Sequence, residues 1–284
     1  MVISEFSSIV FDRENYKYDQ DIEYKQVFGK KDSIRICVTL DKKGGERPAD
    51  VDCILTSVDS TTLTFNRQEF GDTFIVFSLS TYGLEFGTYN VKIINNVTLR
   101  GYESDFDIVS DFCLENTLVL NYSDTRNKFE TIFKDDFNTN IYYSFRFVGS
   151  ILERDTDYGI EGAVFKDQNM RSRTLSGFVN NTYKLIVGDN YGVPNGFGRH
   201  VRNALSCNKC YLNGLPVSIT EASSLERESI ADTFPFFRFS MQINYSKNVL
   251  ESNKLKNYRY LCNNNRSKLL FSNNDKFITT NRKF

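Results

Sequence analysis

The chain has no tryptophan, one histidine and six cysteines in 284 residues. Each scarcity excludes something. Cys37, Cys53, Cys113, Cys207, Cys210 and Cys262 are too sparse for a disulfide scaffold. The lone imidazole, His200, has no plausible Cys, Ser or Asp partner nearby in sequence. General-base catalysis usually needs such an orienting group, so a surface or boundary position is expected for it. Charge of one sign is missing too: the formal net charge is −1, so no field draws the whole molecule to nucleic acid or anionic lipid. Neither a membrane partner nor sequence-specific nucleic-acid binding is expected. No apolar run approaches the ~18 residues of a membrane span. The opening stretch MVISEFSSIVFDREN lacks a basic region ahead of an apolar one, so no signal peptide is expected and the thiols should be reduced. The sequons at Asn96, Asn121, Asn180 and Asn244 then read as chance matches in an Asn-rich chain.

What is abundant is aromatic: 25 Phe and 16 Tyr, residues that suit half-buried pleated surfaces. The length suits two ordinary cores better than one large one. Residues 1–20 are polar and mixed and read as an arm. In DSIRICVTL, Ile34, Ile36, Val38 and Leu40 alternate with Ser33, Arg35, Cys37 and Thr39, which predicts a strand buried on one face. DCILTSV, TLTF, TFIVFSL, TYNVKII and DFDIV follow, set apart by Gly, Asp, Asn and Ser turns. This spacing over 21–112 predicts an immunoglobulin-like β-sandwich. In LEFGTYNVKI, Tyr89 stands shortly after a glycine, where such domains tie a tyrosine hydroxyl back to a sheet corner. The missing Trp, and the spacing of Cys37 and Cys53, set this apart from the antibody subfamily.

VSDFCLENTL reads as a junction. A second β-rich domain is expected over 113–245, interrupted by one packed helix at 194–206. In GDNYGVPNGFGRH, Gly188 and Gly192 permit a turn with positive φ, and Pro194 suits a helix start. Phe197, Val201 and Leu205 then recur every four residues as one apolar stripe. A Walker loop is excluded by spacing and by Arg199-His200 where Lys-Ser/Thr is required, and the dinucleotide fingerprint fails as well. Asn213-Gly214 predicts a two-residue hairpin turn. FFRFSMQINY puts Phe237, Phe239, Met241 and Ile243 on one face of a strand.

Two weak metal motifs remain. Cys207-x-x-Cys210 is half a zinc site without its second pair. Asp155, Asp157 and Glu161 fail the calcium-loop spacing, although a looser site, a glycan acid/base pair or a plain solvated turn stays open. No cofactor is expected. Ten asparagines fall in 244–284, with short apolar islands at YRYLC, KLLF and KFITT. Residues 246–284 therefore read as a polar C-terminal extension, either with one or two docked strands or disordered.

Residues 145–244 resemble a virion protein of tailed phages of Bacteroidetes, of the crAss-like type. The residues that carry the likeness are FRFVGSIL, FKDQNMRSRTLSG, YKLIVGDNYGVPNGFGRHVRNALSCNKCYLNGLPV and FFRFSMQIN, with CLENTLVLNYSDTRNKFETIF upstream. The resemblance implies a tail, neck or baseplate ring subunit with no enzyme activity and no catalytic residues to carry over. It implies copies of itself and other tail or neck proteins as partners, and a place in the virion after synthesis in the bacterial cytoplasm. Two other readings stay open: an immunoglobulin-like module that binds glycan or a host surface, and a glycan hydrolase using Asp155, Asp157 or Glu161. Deleting 250–284 is expected to leave a folded monomer that cannot assemble.

Overall fold

The computed structural model describes residues 1–11, 24–59, 61–127, 130–166, 172–220, 224–230 and 236–245, and three short strands after residue 259. For 153–181 and beyond 244 it describes backbone pairing alone. The protein is mainly β, with one α-helix among the described residues. It divides into two compact units, Met1–Asn244 and Tyr245–Phe284.

The first half of the larger unit holds β1 (Val2–Ile3), β2 (Gln26–Phe28), β3 (Ser33–Thr39), β4 (Val51–Ser57), β5 (Thr62–Thr64), β6 (Asn66–Phe70), β7 (Phe74–Ser80), β8 (Gly87–Asn95) and β9 (Gly101–Ile108). They form a four-stranded sheet, β1-β3-β7-β6, and a five-stranded sheet, β2-β9-β8-β4-β5. Pairing is antiparallel except between β2 and β9. Ile34, Ile36 and Val38 of β3 meet Leu55, Val91 and Phe106 of the opposite sheet in one core. The alternation that places them there follows from the two-residue period of a strand. Tyr89 of β8 donates from its hydroxyl to the Glu85 carbonyl at 3.2 Å, the corner tie its spacing predicts.

The other face of β3 corrects the one-sided expectation. Cys37 is buried, and its thiol meets Tyr143 and Ile132 of the following half; burial pushes it up to about 11. Arg35 donates to the Tyr142 carbonyl, and Thr39 to the Glu130 carbonyl at 2.9 Å. Residues 1–11 are likewise not a free arm. Met1, Phe6, Ile9 and Val10 are buried, and the Met1 ammonium pairs with Glu46. Ser4 and Ser8 donate their backbone N–H to Cys37 and Arg35 carbonyls. Four apolar side chains at irregular spacing can fill a seam between two modules without showing any strand or helix period. The rest of the expected arm, 12–20, lies outside the described residues.

The second half contains β10 (Thr117–Ser123), β11 (Tyr143–Lys166), β12 (Ser172–Val187), α1 (Asn195–Leu205), β13 (Lys209–Leu212), β14 (Leu215–Ile219), β15 (Glu226–Ser229) and β16 (Phe237–Tyr245). The order is β12-β11-β10-β13-β14-β16-β15, and β12 also pairs with β16. Six of the strands thereby close into a barrel, and β15 adds to β16 outside the ring of pairings. Closure removes the sheet edges that would otherwise need covering. Inward-facing Leu120, Tyr122, Phe145, Phe147, Leu185 and Leu212 fill it.

The two halves are fastened at one buried ion pair. Arg146 of β11 grips Asp32 with both arms, at 2.6 and 2.9 Å, and donates to Thr117 Oγ1 at 2.7 Å. Asp32 also accepts the Gly29 N–H at 2.7 Å, so its charge is fully hydrogen-bonded. In the smaller unit, β17 (Tyr260–Cys262), β18 (Lys268–Phe271) and β19 (Phe277–Thr279) form a three-stranded antiparallel sheet at the three apolar islands of the sequence.

Candidate functional site

The glycine corner builds a packed helix. Gly188 and Gly192 take φ of 90° and 75°, a region that penalises any Cβ. A Cβ on Gly192 would also come within 2.3 Å of Ile230 Cδ1. Val193 and Phe237 exchange two backbone hydrogen bonds of 2.9 Å, which fixes the corner to β16. Pro194 is the N-cap, and its carbonyl accepts from Phe197 N–H at 3.0 Å. The stripe Phe197, Val201 and Leu205 is buried as its period predicts, each side chain contributing about 1.5–3 kcal/mol. Gly198 lets the helix approach Phe239: a Cβ there would sit 2.5 Å from the ring.

His200 corrects the expectation of a surface or boundary residue: it is 5% exposed. Its ring stacks on Phe145 with centroids 3.9 Å apart and planes 25° apart. Its Nε2 lies 2.8 Å from the Tyr122 hydroxyl, which donates to the Phe6 carbonyl at 2.8 Å. The hydroxyl has one proton, and a carbonyl can only accept. The neutral imidazole must therefore donate from Nε2–H to Tyr122. Burial, reinforced by the Arg199 charge, lowers its pKa to about 3. An imidazole committed as donor to a buried phenol, stacked on Phe145 and met edge-on by Tyr122, is a structural wedge. The stripe alone gave no sign of this, because the partners of His200, Tyr122 and Phe145, come from β10 and β11, far away in sequence.

The thiol pair sits just after the helix. Cys210 Sγ donates to the Ala204 carbonyl at 2.9 Å, and Cys207 Sγ lies 3.9 Å from the Asn203 carbonyl. Both side chains are buried, so the pair closes the helix C-terminus against β13. Among the described residues, no three His, Cys, Asp or Glu side chains gather as metal ligands. Asn213 and Gly214 both take positive φ, 49° and 81°, as a tight hairpin turn between β13 and β14 requires. Asn213 also exchanges hydrogen bonds with the backbone of Val119, pinning the turn to β10.

Asp155, Asp157 and Glu161 lie on β11, with side chains outside the described residues. Their strand is the largest feature that sequence reading missed. β11 and β12 pair from Gly149↔Val187 to Lys166↔Ser172, with register shifts at Leu152/Asp157 and Ala163/Val164. β10 leaves β11 at Val148, and β16 leaves β12 at Thr182. From Asp157↔Thr182 outward the hairpin is therefore a two-stranded ribbon with no third strand among the described residues. Ten residues of strand reach about 33 Å. Sequence period alone could not reveal this arm, because where a strand's neighbours stop pairing leaves no mark on its residue order.

No protein-family model matches the sequence, and no curated protein does. No helix among the described residues is long and apolar enough to cross a membrane.

Proposed function

We propose that this chain is a structural subunit of a tailed-phage virion, forming a ring in the tail, neck or baseplate through contacts with copies of itself and with other tail or neck proteins. Its place is then the virion, after synthesis in the host cytoplasm. The observation that carries this reading is the β11–β12 ribbon. An isolated two-stranded hairpin is marginal in water and exposes two rows of unpaired backbone donors and acceptors. A neighbouring ribbon satisfies both needs by strand addition. A barrel closed on itself and joined to the first half through Arg146–Asp32 carries the ribbon as a continuation of two of its strands, a projecting edge of the kind a repeating assembly uses. The resemblance expected from the sequence of 145–244, to virion proteins of crAss-like phages, points the same way.

The first half belongs with it as an immunoglobulin-like decoration. Its support is the split of four and five strands, the parallel β2–β9 edge and the Tyr89 corner tie. Electron microscopy and light scattering of the full chain test the proposal. A closed multimer is expected, and it should be lost when residues 155–181 are replaced by a short glycine turn while the barrel stays folded. A multimer that forms equally well without the ribbon contradicts the reading.

A second reading, a glycan- or host-surface-binding module, draws on one observation. Tyr82 and Phe112 are each 79% exposed, on loops leaving the end of the sandwich where Gly87 pairs with Ile108. A persistent monomer with measurable glycan affinity favours that module over the ring.

A further inference from the structure

The loop between β10 and β11 carries Phe137 at its tip, 90% exposed. The tip is not slack. Asp135 accepts the backbone N–H groups of Phe137 and Thr139 at 3.0 and 2.7 Å through one carboxylate oxygen. Its own backbone bonds to Thr139 and Asn138, and Lys134 Nζ meets Asn138 Oδ1 at 2.6 Å. Asn138 takes the left-handed conformation that such a tight turn needs (φ 64°). A large aromatic on a pre-ordered turn loses little entropy on docking, which is what an interface anchor requires. Beside it, Asp136 is exposed.

The same chain has a groove of matching character elsewhere. It runs beside α1 and has a volume of about 560 Å³; polar side chains, Arg199 and Arg202 among them, line it together with the apolar Ile219, Leu225 and the buried Phe239 and Met241. Glu5 meets Arg199 at 3.5 Å on its other side; Arg202 stands exposed in the last turn of the helix.

We propose that Phe137 of one copy enters the α1 groove of the next, with Asp136 against Arg202. This rests on the ring reading and names one of its contacts. The partner is a second copy because one chain carries both halves, an acidic aromatic tip and a part-apolar groove that carries the exposed Arg202. The tip is exposed in its own molecule, so it does not fill its own groove. Tip and groove are different surfaces, so the contact is head-to-tail, the kind that propagates round a ring instead of stopping at a dimer.

The test uses the full chain and measures mass against concentration by light scattering. Phe137→Ala is expected to raise the concentration needed for assembly by about tenfold or more. Asp136→Arg should do the same, and adding Arg202→Asp to it should restore assembly to near the starting concentration. All three positions are exposed, so circular dichroism should show an unchanged fold. Assembly of Phe137→Ala at the parent concentration, or failure of the charge exchange to restore it, overturns this contact while leaving the ring standing. A parent chain that stays monomeric at every concentration overturns the contact and the ring together.

Discussion

Acidification should turn His200 from a wedge into a charge trapped in the core. The imidazole has an ordinary pKa of 6.5 and a folded pKa of about 3. Above about pH 6.5 it is neutral in both folded and unfolded chains and contributes no pH dependence. Below that, only the unfolded chain takes up the proton, so folding stability falls with pH until about pH 3 is reached. One pKa unit corresponds to about 1.4 kcal/mol, so the loss between pH 6.5 and pH 4 is about 3 kcal/mol. That is a large share of the 5–15 kcal/mol by which typical domains are stable. Urea unfolding at pH 7, 5 and 4 measures it. Carboxylates also titrate in this range, so the comparison is with His200→Gln. This amide keeps an N–H donor for Tyr122 and cannot be protonated. Its stability should fall less steeply, by about 3 kcal/mol over the same interval. Because the chain has one histidine, its imidazole NMR signal reports the same quantity without any variant. It should stay flat from pH 8 to pH 5. A midpoint between 6 and 7, or parallel slopes for parent and variant, refutes the buried-donor account.

Other consequences follow from the same packing. Gly198→Ala drives a Cβ into the Phe239 ring at 2.5 Å, and should cost about 1–3 kcal/mol in thermal or urea unfolding. Arg146→Ala leaves Asp32 buried without its cation and should cost about 3 kcal/mol or more; Arg146→Lys, lacking the two-armed fork, should not recover it. Gly214→Val places a β-branched side chain at φ 81° and should cost at least about 1 kcal/mol without altering the fold, read by unfolding and circular dichroism. Iodoacetamide on the native protein should label Cys113 quickly and leave Cys37, Cys53, Cys207 and Cys210 protected, as peptide mass mapping will show.

Some of these features were legible from residue order. The two-residue alternation in β3, β8 and β16 is a local property of the chain, and it located the side chains of one core face directly, though not the second cover that β3 receives. The α1 stripe and the Asn213-Gly214 turn are equally local: each depends on geometry within a few bonds, so composition at fixed offsets suffices. His200 was not legible in the same way. Its burial needs Tyr122 and Phe145 to arrive from two strands far from the helix in sequence. Residues 1–11 escaped for a related reason, because a seam between modules imposes no period on the chain that fills it.

Residue types and spacings thus determined that the chain is β-rich, that it carries one amphipathic helix after a glycine corner, and where its sharp turns fall. Backbone sterics and side-chain period act over short range, and they are written into the order of residues. Tertiary structure alone decided that β12 meets β16 to close a barrel, that β3 is covered on both faces, and that β11 and β12 run on past β10 and β16 as a ribbon with no third strand among the described residues. Those outcomes depend on which distant strands pair and where each pairing stops. Long-range closure of that kind leaves no periodic mark on the segments it joins.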